Sequence, residues 1–167
     1  LIHDIDLLRH LVGEIVSVQA LASNAVRGNA VEDAAALVFR FDNGALGTFS
    51  LSDAIVAPWS WELTAAENPA YPATGQPCYF IGGTHGSLEL PNARLWTNPD
   101  QRSWWEPISA THYPVSHEDP LVCQIRQFVR VIRGEEAPLV SALEGLRTLE
   151  VIDAVQRSAL SGQAVAL

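Results

Sequence analysis

Between two helix-patterned ends lies a series of short β-prone runs punctuated by turn residues, and this arrangement limits the fold more than any other feature of the chain. EIVSVQALASNAV, EDAAALVFRF and ALGTFSLSDAIV are rich in Val, Phe, Leu and Ala at strand spacing, and Asp42-Asn43-Gly44 separates the last two. Asn and Gly tolerate the positive φ of a tight turn, so these two runs form a hairpin and are antiparallel. CYFIGG and GSLEL read as a second hairpin around Thr84-His85, with ARLWT and SWWEPI as further strands. The expected sheet is six or seven strands wide.

The flanks follow a different period. At about 100° per residue, Leu1, Ile5, Leu8, Leu11 and Val12 share one arc of a helix, His3, Asp6 and His10 lie on the opposite side, and Gly13 ends it. Asp119-Pro120 is an N-cap followed by proline at the first helical position, opening a helix that runs to Gly134. A second long helix is expected from about Ser141 to Gly162, and AVAL closes as a short strand. Strands grouped between helices define an α+β fold: a large, mainly antiparallel sheet with helices packed on one face. Alternation in the second and third runs places apolar groups on both sides, which predicts that the other face packs against another domain or a second subunit.

At 167 residues and 48% apolar composition, one folded domain spanning 1–167 is the expectation. Ten basic against nineteen acidic side chains leave a net charge of -9, which repels phosphate backbones and anionic lipid surfaces, so neither nucleic acid nor membrane is an expected partner. No apolar run approaches the ~20 residues that cross a bilayer, and no basic-then-apolar leader is present, which sets a cytoplasmic expectation. Cys78 and Cys123 read as reduced thiols. The sequence holds no methionine, from which a missing N-terminal portion is expected.

Four clusters carry candidate chemistry. His3 and Asp6 are helical neighbours, and an imidazole beside a carboxylate can act as general base toward a substrate hydroxyl while the carboxylate orients the ring or binds a second hydroxyl. A solvated polar helix face explains the same residues. Trp59 and Trp61, with Glu67 and Asn68 behind them, suit a sugar- or polyol-sized pocket and equally suit core packing. Gly82-Gly83-Thr84-His85-Gly86 precedes a strand rather than a helix, which makes it a turn and not a phosphate cradle. His112, His117, Glu118 and Asp119 crowd together without matching zinc or calcium spacing, so no metal site is expected.

In order along the chain, HDIDLLRHLVGEIVSVQA, FDNGALGTFSLSD, IGGTHGSLELP and the DPLVCQIRQFVRVIRG…PLVS…SALSGQAVAL stretch resemble the C-terminal domain of the Gfo/Idh/MocA oxidoreductases, the glucose-fructose oxidoreductase and inositol dehydrogenase family. The resemblance implies a dihydrodipicolinate reductase-like sheet domain whose open face serves oligomerisation, as a homodimer or homotetramer. It also implies a preceding Rossmann domain, absent from this chain, that binds NAD or NADP. His3 stands at the histidine of the family's Asp-x-x-x-His motif and is thereby the implied catalytic base. Asp6 matches a substrate-hydroxyl ligand, and Trp59 and Trp61 fall where relatives vary with substrate. His10 stands where the family often has an aromatic residue. The implied activity is oxidation of a secondary hydroxyl on a sugar, polyol or similar small molecule, with the fragment alone inactive. Two alternatives remain: a free-standing sheet module that binds a ligand or protein, and a sensor or scaffold that keeps the fold without the chemistry.

Overall fold

The computed structural model describes residues 1–115 and 118–167. Its contacts cluster into two compact units, Leu1–Ile55 with Ala137–Leu167, and Val56–Glu136.

In the first unit, α1 (Ile2–Leu11) leads into β1 (Ile15–Ser23), β2 (Ala34–Phe41) and β3 (Leu46–Ser52). The long helix that runs from Ala142 to Ser161 and the two-residue strand Val165–Ala166 complete it. The strands form an antiparallel sheet in the order β3-β2-β1 followed by the C-terminal strand, which pairs Val165 with Val18 and Ala166 with Ser17. Period-two alternation turns Leu37, Phe39 and Phe41 of β2 inward, where they meet Ile5 of α1 and Val151, Ala154 and Val155 of the long helix. Phe39 and Phe41 sit edge to face, with ring centroids 6.4 Å apart.

The sheet's other face is open. It carries Leu21, Val38 and Leu46, all exposed, among Ser17, Gln19, Arg40, Thr48 and Ser50. It is therefore mixed in polarity rather than apolar like the inner side.

The Asp42-Asn43-Gly44 turn closes the β2–β3 hairpin, with Gly44 at φ 86°. Asn43 does more than turn the chain: its Nδ2 donates to the carbonyl of Val12 at 2.6 Å, satisfying a terminal acceptor of α1. Gly13 holds φ 139°, a conformation that favours glycine, and a Cβ there would lie 2.8 Å from Oδ1 of Asp42, which would have to shift.

The second unit contains a short helix α2 (Trp61–Ala65), strands β4 (Tyr79–Gly82), β5 (Ser87–Leu90), β6 (Arg94–Thr97) and β7 (Ser109–His112), and the helix α3 (Pro120–Ile132). With α3 in place, the long helix of the first unit is α4 and its closing strand β8. The four strands β4 to β7 form their own antiparallel sheet in sequence order. Among the described residues eight strands thus divide into two four-stranded sheets, where one sheet of six or seven was expected. Between β3 and β4 the chain carries Pro58, Pro69, Pro72 and Pro77, which lack the N–H a ladder requires. SWWEPI is a turn rather than a strand: Ser103 Oγ accepts the N–H of Trp105, and Pro107 follows.

Asp119 caps α3 as expected, accepting from the N–H groups of Leu121 and Val122. The apolar side of α3, including Leu121, Ile125, Phe128 and Ile132, is exposed. Cys78 and Cys123 are thiols that form no disulfide. Among the described residues, no helix is long and apolar enough to cross a membrane.

Candidate functional site

The candidate site grows from α1. Ile5 on its inner side is fully buried and fixes the rotation of the helix, so His3 and His10 face solvent while Asp6 lies at the border of the core. Arg9 is buried, one turn beyond Ile5, with only 3% of its side chain exposed.

A buried guanidinium is tolerated only when its donors are used, and all five N–H groups of Arg9 are. Its Nε donates to Glu14 Oε2 at 2.9 Å and Nη2 to Glu14 Oε1 at 3.0 Å. Nη2 also donates to Glu144 Oε2 at 2.6 Å, while Nη1 reaches the carbonyl of Glu144 at 3.0 Å and the hydroxyl of Thr148 at 2.9 Å. Arg147 adds a second cation, 3.2 Å from Glu144 and 3.5 Å from Glu14. The hydrogen bond from Arg9 holds the Glu14 carboxyl below its usual range, against the opposing effect of burial, with the charges of Arg9 and Arg147 adding to it.

Glu144 is the third residue of α4, and Ser141 caps that helix by accepting the Glu144 N–H at 3.2 Å. The S-x-x-E spacing is that of a capping box, but here the glutamate side chain turns to Arg9.

Asp6 is tied into the same cluster. Its Oδ1 accepts the Thr148 hydroxyl at 3.1 Å and lies 3.8 Å from Arg9 Nη1. Among the described residues its Oδ2 has no partner, and 39% of the side chain is exposed. Asp6 is thus a fixed carboxylate with one oxygen open to a ligand, on the same helix as the exposed imidazole of His3.

Trp59 and Trp61 belong to the second unit. Trp59 is exposed, whereas Trp61 is held on both sides: its Nε1 donates to Glu67 Oε2 at 3.0 Å and its ring meets Tyr79 edge to face at 6.0 Å. Local hydrogen bonds tie the segment around them together. Ser60 caps α2, Thr64 donates to the carbonyl of Gln76, and Thr74 donates to that of Pro58 at 2.9 Å.

Gly82 to Gly86 form the β4–β5 turn, closed by the Gly83 N–H on the Gly86 carbonyl at 2.8 Å, and supply no nucleotide cradle. Among the described residues no group of three His, Cys, Asp or Glu side chains could hold a metal ion, and His117 lies outside them.

Arg9, Glu14, Glu144 and Thr148 were absent from the candidates read from the sequence. One signal was available: Arg9 sits four residues after Ile5, next to the apolar arc, where a cation must find buried partners.

Fold and cluster together define a class: an α+β domain that presents polar side chains from its first helix beside an open antiparallel sheet. The family model described as the oxidoreductase family, C-terminal alpha/beta domain, matches residues 1–167, and the chain belongs to this Gfo/Idh/MocA family. No curated protein matches the chain significantly. Among solved structures, an NAD-binding protein from Listeria innocua is 17% identical with a TM-score of 0.72, covering 99% of this chain and 49% of its own. A levoglucosan dehydrogenase in complex with NADH and levoglucosan gives 19% identity and 0.69, covering 99% and 48%. The WlbA dehydrogenase of Bordetella pertussis, in complex with NADH and UDP-GlcNAcA, gives 22% and 0.65, covering 99% and 43%. The chain therefore spans less than half the length of these proteins.

Proposed function

We propose that this chain is the substrate-binding and oligomerisation domain of an NAD(P)-dependent oxidoreductase that acts on a secondary hydroxyl of a sugar, polyol or related small molecule. The observation that carries the reading is Asp6: a carboxylate anchored through one oxygen by Thr148, with the other open, on the helix that also exposes His3. A fixed anionic acceptor suits a neutral hydroxyl donor. Family membership and the sugar ligands of the two dehydrogenases above support the same substrate class.

His3 is the base that takes the hydroxyl proton, because a neutral imidazole can accept it in one direction and return it in the other. Asp6 binds a hydroxyl of the substrate and orients it. Trp59 and Trp61 are assigned to substrate binding by the family resemblance; within their own unit Trp61 is held by Glu67 and Tyr79 and Trp59 is exposed. The nicotinamide supplies the hydride acceptor. By the family resemblance its nucleotide is bound by a Rossmann domain; the glycine-rich run here is a hairpin turn. The open face of the first sheet, mixed in polarity as subunit interfaces are, receives a second copy of the protein to form a dimer or tetramer.

The test is nicotinamide reduction by the full-length protein with neutral sugars and polyols, offered NAD and NADP in turn. His3→Ala should lower kcat by about 10²- to 10⁴-fold, the contribution of a positioned general base. An unchanged rate removes His3 from the mechanism. No turnover by the wild type on any panel member, with sugar binding retained, would favour a ligand-binding module instead.

A further inference from the structure

We propose that Thr148 is a positioning residue for substrate: its hydroxyl relays the charge of Arg9 to Asp6 and fixes the carboxylate as an acceptor with Oδ2 turned over to the ligand. The inference rests on the reading of Asp6 as the substrate-hydroxyl ligand and deepens it.

The direction of the relay follows from which groups can donate. Arg9 Nη1 can only donate, so the Thr148 oxygen accepts at 2.9 Å. A threonine hydroxyl has a single proton, and it goes to Asp6 Oδ1 at 3.1 Å. Arg9 itself is immobile, because its other four donors are taken by Glu14 and Glu144. The chain Arg9, Thr148, Asp6 has one polarity and one geometry. Asp6 cannot rotate away without breaking it, and one acceptor position of Oδ1 is taken.

Packing alone does not explain a hydroxyl at this position. Thr148 lies on the inner side of α4 with Val151, Ala154 and Val155, all buried, and is itself 3% exposed. Valine would fill nearly the same volume but would leave one Arg9 donor unpaired and Asp6 without its anchor. Position 148 instead carries a group used both as acceptor and as donor, one turn of α4 from Glu144, which grips the same guanidinium. Charge selects the ligand as well: Asp6, Glu14 and Glu144 outnumber Arg9 and Arg147, so the open oxygen favours an O–H donor over an anionic group.

The experiment uses the full-length protein and D-glucose, D-sorbitol and levoglucosan as hydroxyl probes, with kinetics on whichever is turned over fastest. In Thr148→Val, KM should rise about tenfold, the scale of one hydrogen bond to a charged group. Thr148→Ser, which keeps the hydroxyl, should stay within about twofold of the wild type. In an Asp6→Asn background the valine substitution should add no further rise in KM, because the group it positions has lost its charge. A merely structural role behaves differently: a partly unfolded population lowers the apparent kcat and leaves KM alone. The inference is overturned by a T148V enzyme with wild-type KM, or by a KM rise as large in the D6N background as without it. If the wild type oxidises none of the probes, the functional reading fails and this inference with it, an outcome distinct from an active wild type indifferent to T148V.

Discussion

Arg9 grips Glu14 through two hydrogen bonds, Nε to Oε2 at 2.9 Å and Nη2 to Oε1 at 3.0 Å, and so ties the body of α1 to the residue just before β1. Two-pronged recognition of this kind depends on a planar fork, which lysine lacks. Arg9→Lys should therefore destabilise the protein by about 1–2 kcal/mol and Arg9→Met by about 2–3 kcal/mol. The methionine figure is held down because Glu14 and Glu144 are partly exposed and water can take them back. Urea unfolding should show a lower midpoint at an unchanged slope; a midpoint equal to that of the wild type would mean that the buried fork contributes nothing net.

The same pair sets a direction for acid stability. Glu14 is held below its ordinary carboxyl range, chiefly by the hydrogen bond from Arg9, so the unfolded chain binds its proton more readily than the folded one. The associated stability is fully present above the unfolded value, about 4.3, and is lost as pH falls through the lower folded one. Unfolding midpoints should drop with pH below about 4.3, and Glu14→Gln should flatten that drop while lowering stability at neutral pH. Parallel pH profiles for wild type and E14Q would assign the acid sensitivity to other carboxylates.

Ser158 makes a second tie between helix and sheet. Its Oγ accepts the N–H of Ala20 on β1 at 2.9 Å and donates to the carbonyl of Gln163 at 2.6 Å, where the chain leaves α4 for β8. The residue is fully buried, so Ser158→Ala leaves the Ala20 N–H without this partner in the core and removes the part-buried bond to the Gln163 carbonyl. The expected cost is about 2–3 kcal/mol. Amide exchange at Ala20 is the local readout: faster exchange in S158A supports the tie, and equal protection argues that another group replaces the hydroxyl.

What the sequence discloses here is what local chemistry controls. The hairpin at Asp42-Asn43-Gly44, the cap at Asp119 and the stop at Gly162 each depend on a few adjacent residues, and each is present. The inward face of α1 follows from its period, which places Ile5 in the core and His3 outside. The division into two sheets was not legible, because alternation identifies a strand but not its neighbours, and the proline-bearing stretch from 58 to 77 decides that β3 does not continue into β4. The Arg9 cluster was hidden for a related reason. Its partners lie five residues away at Glu14 and more than a hundred away at Glu144 and Thr148, and only the fold brings them together. Of the candidates, the link between Asp6 and Thr148 is likewise a tertiary fact, while the roles proposed for His3, Trp59 and Trp61 rest on the family resemblance.

The open face of the first sheet offers the last prediction. Across it, Val38 stands between Gln19 of β1 and Thr48 of β3, while Leu21 pairs with Ala36 and Leu46 with Arg40. The proposal that a second copy covers this face requires Val38, 52% exposed at present, to lose its water on assembly. A charge there would be desolvated in the assembled state, a cost of several kcal/mol, whereas the isolated sheet would keep it hydrated at little cost. Val38→Glu should therefore convert the full-length protein to a smaller species in sedimentation equilibrium, with its far-UV circular dichroism unchanged. Thr48→Val, on the neighbouring strand, should leave assembly intact or tighten it. An oligomer that survives V38E would place the interface on another surface, and a monomeric wild type would show that the face is covered by something other than a second copy.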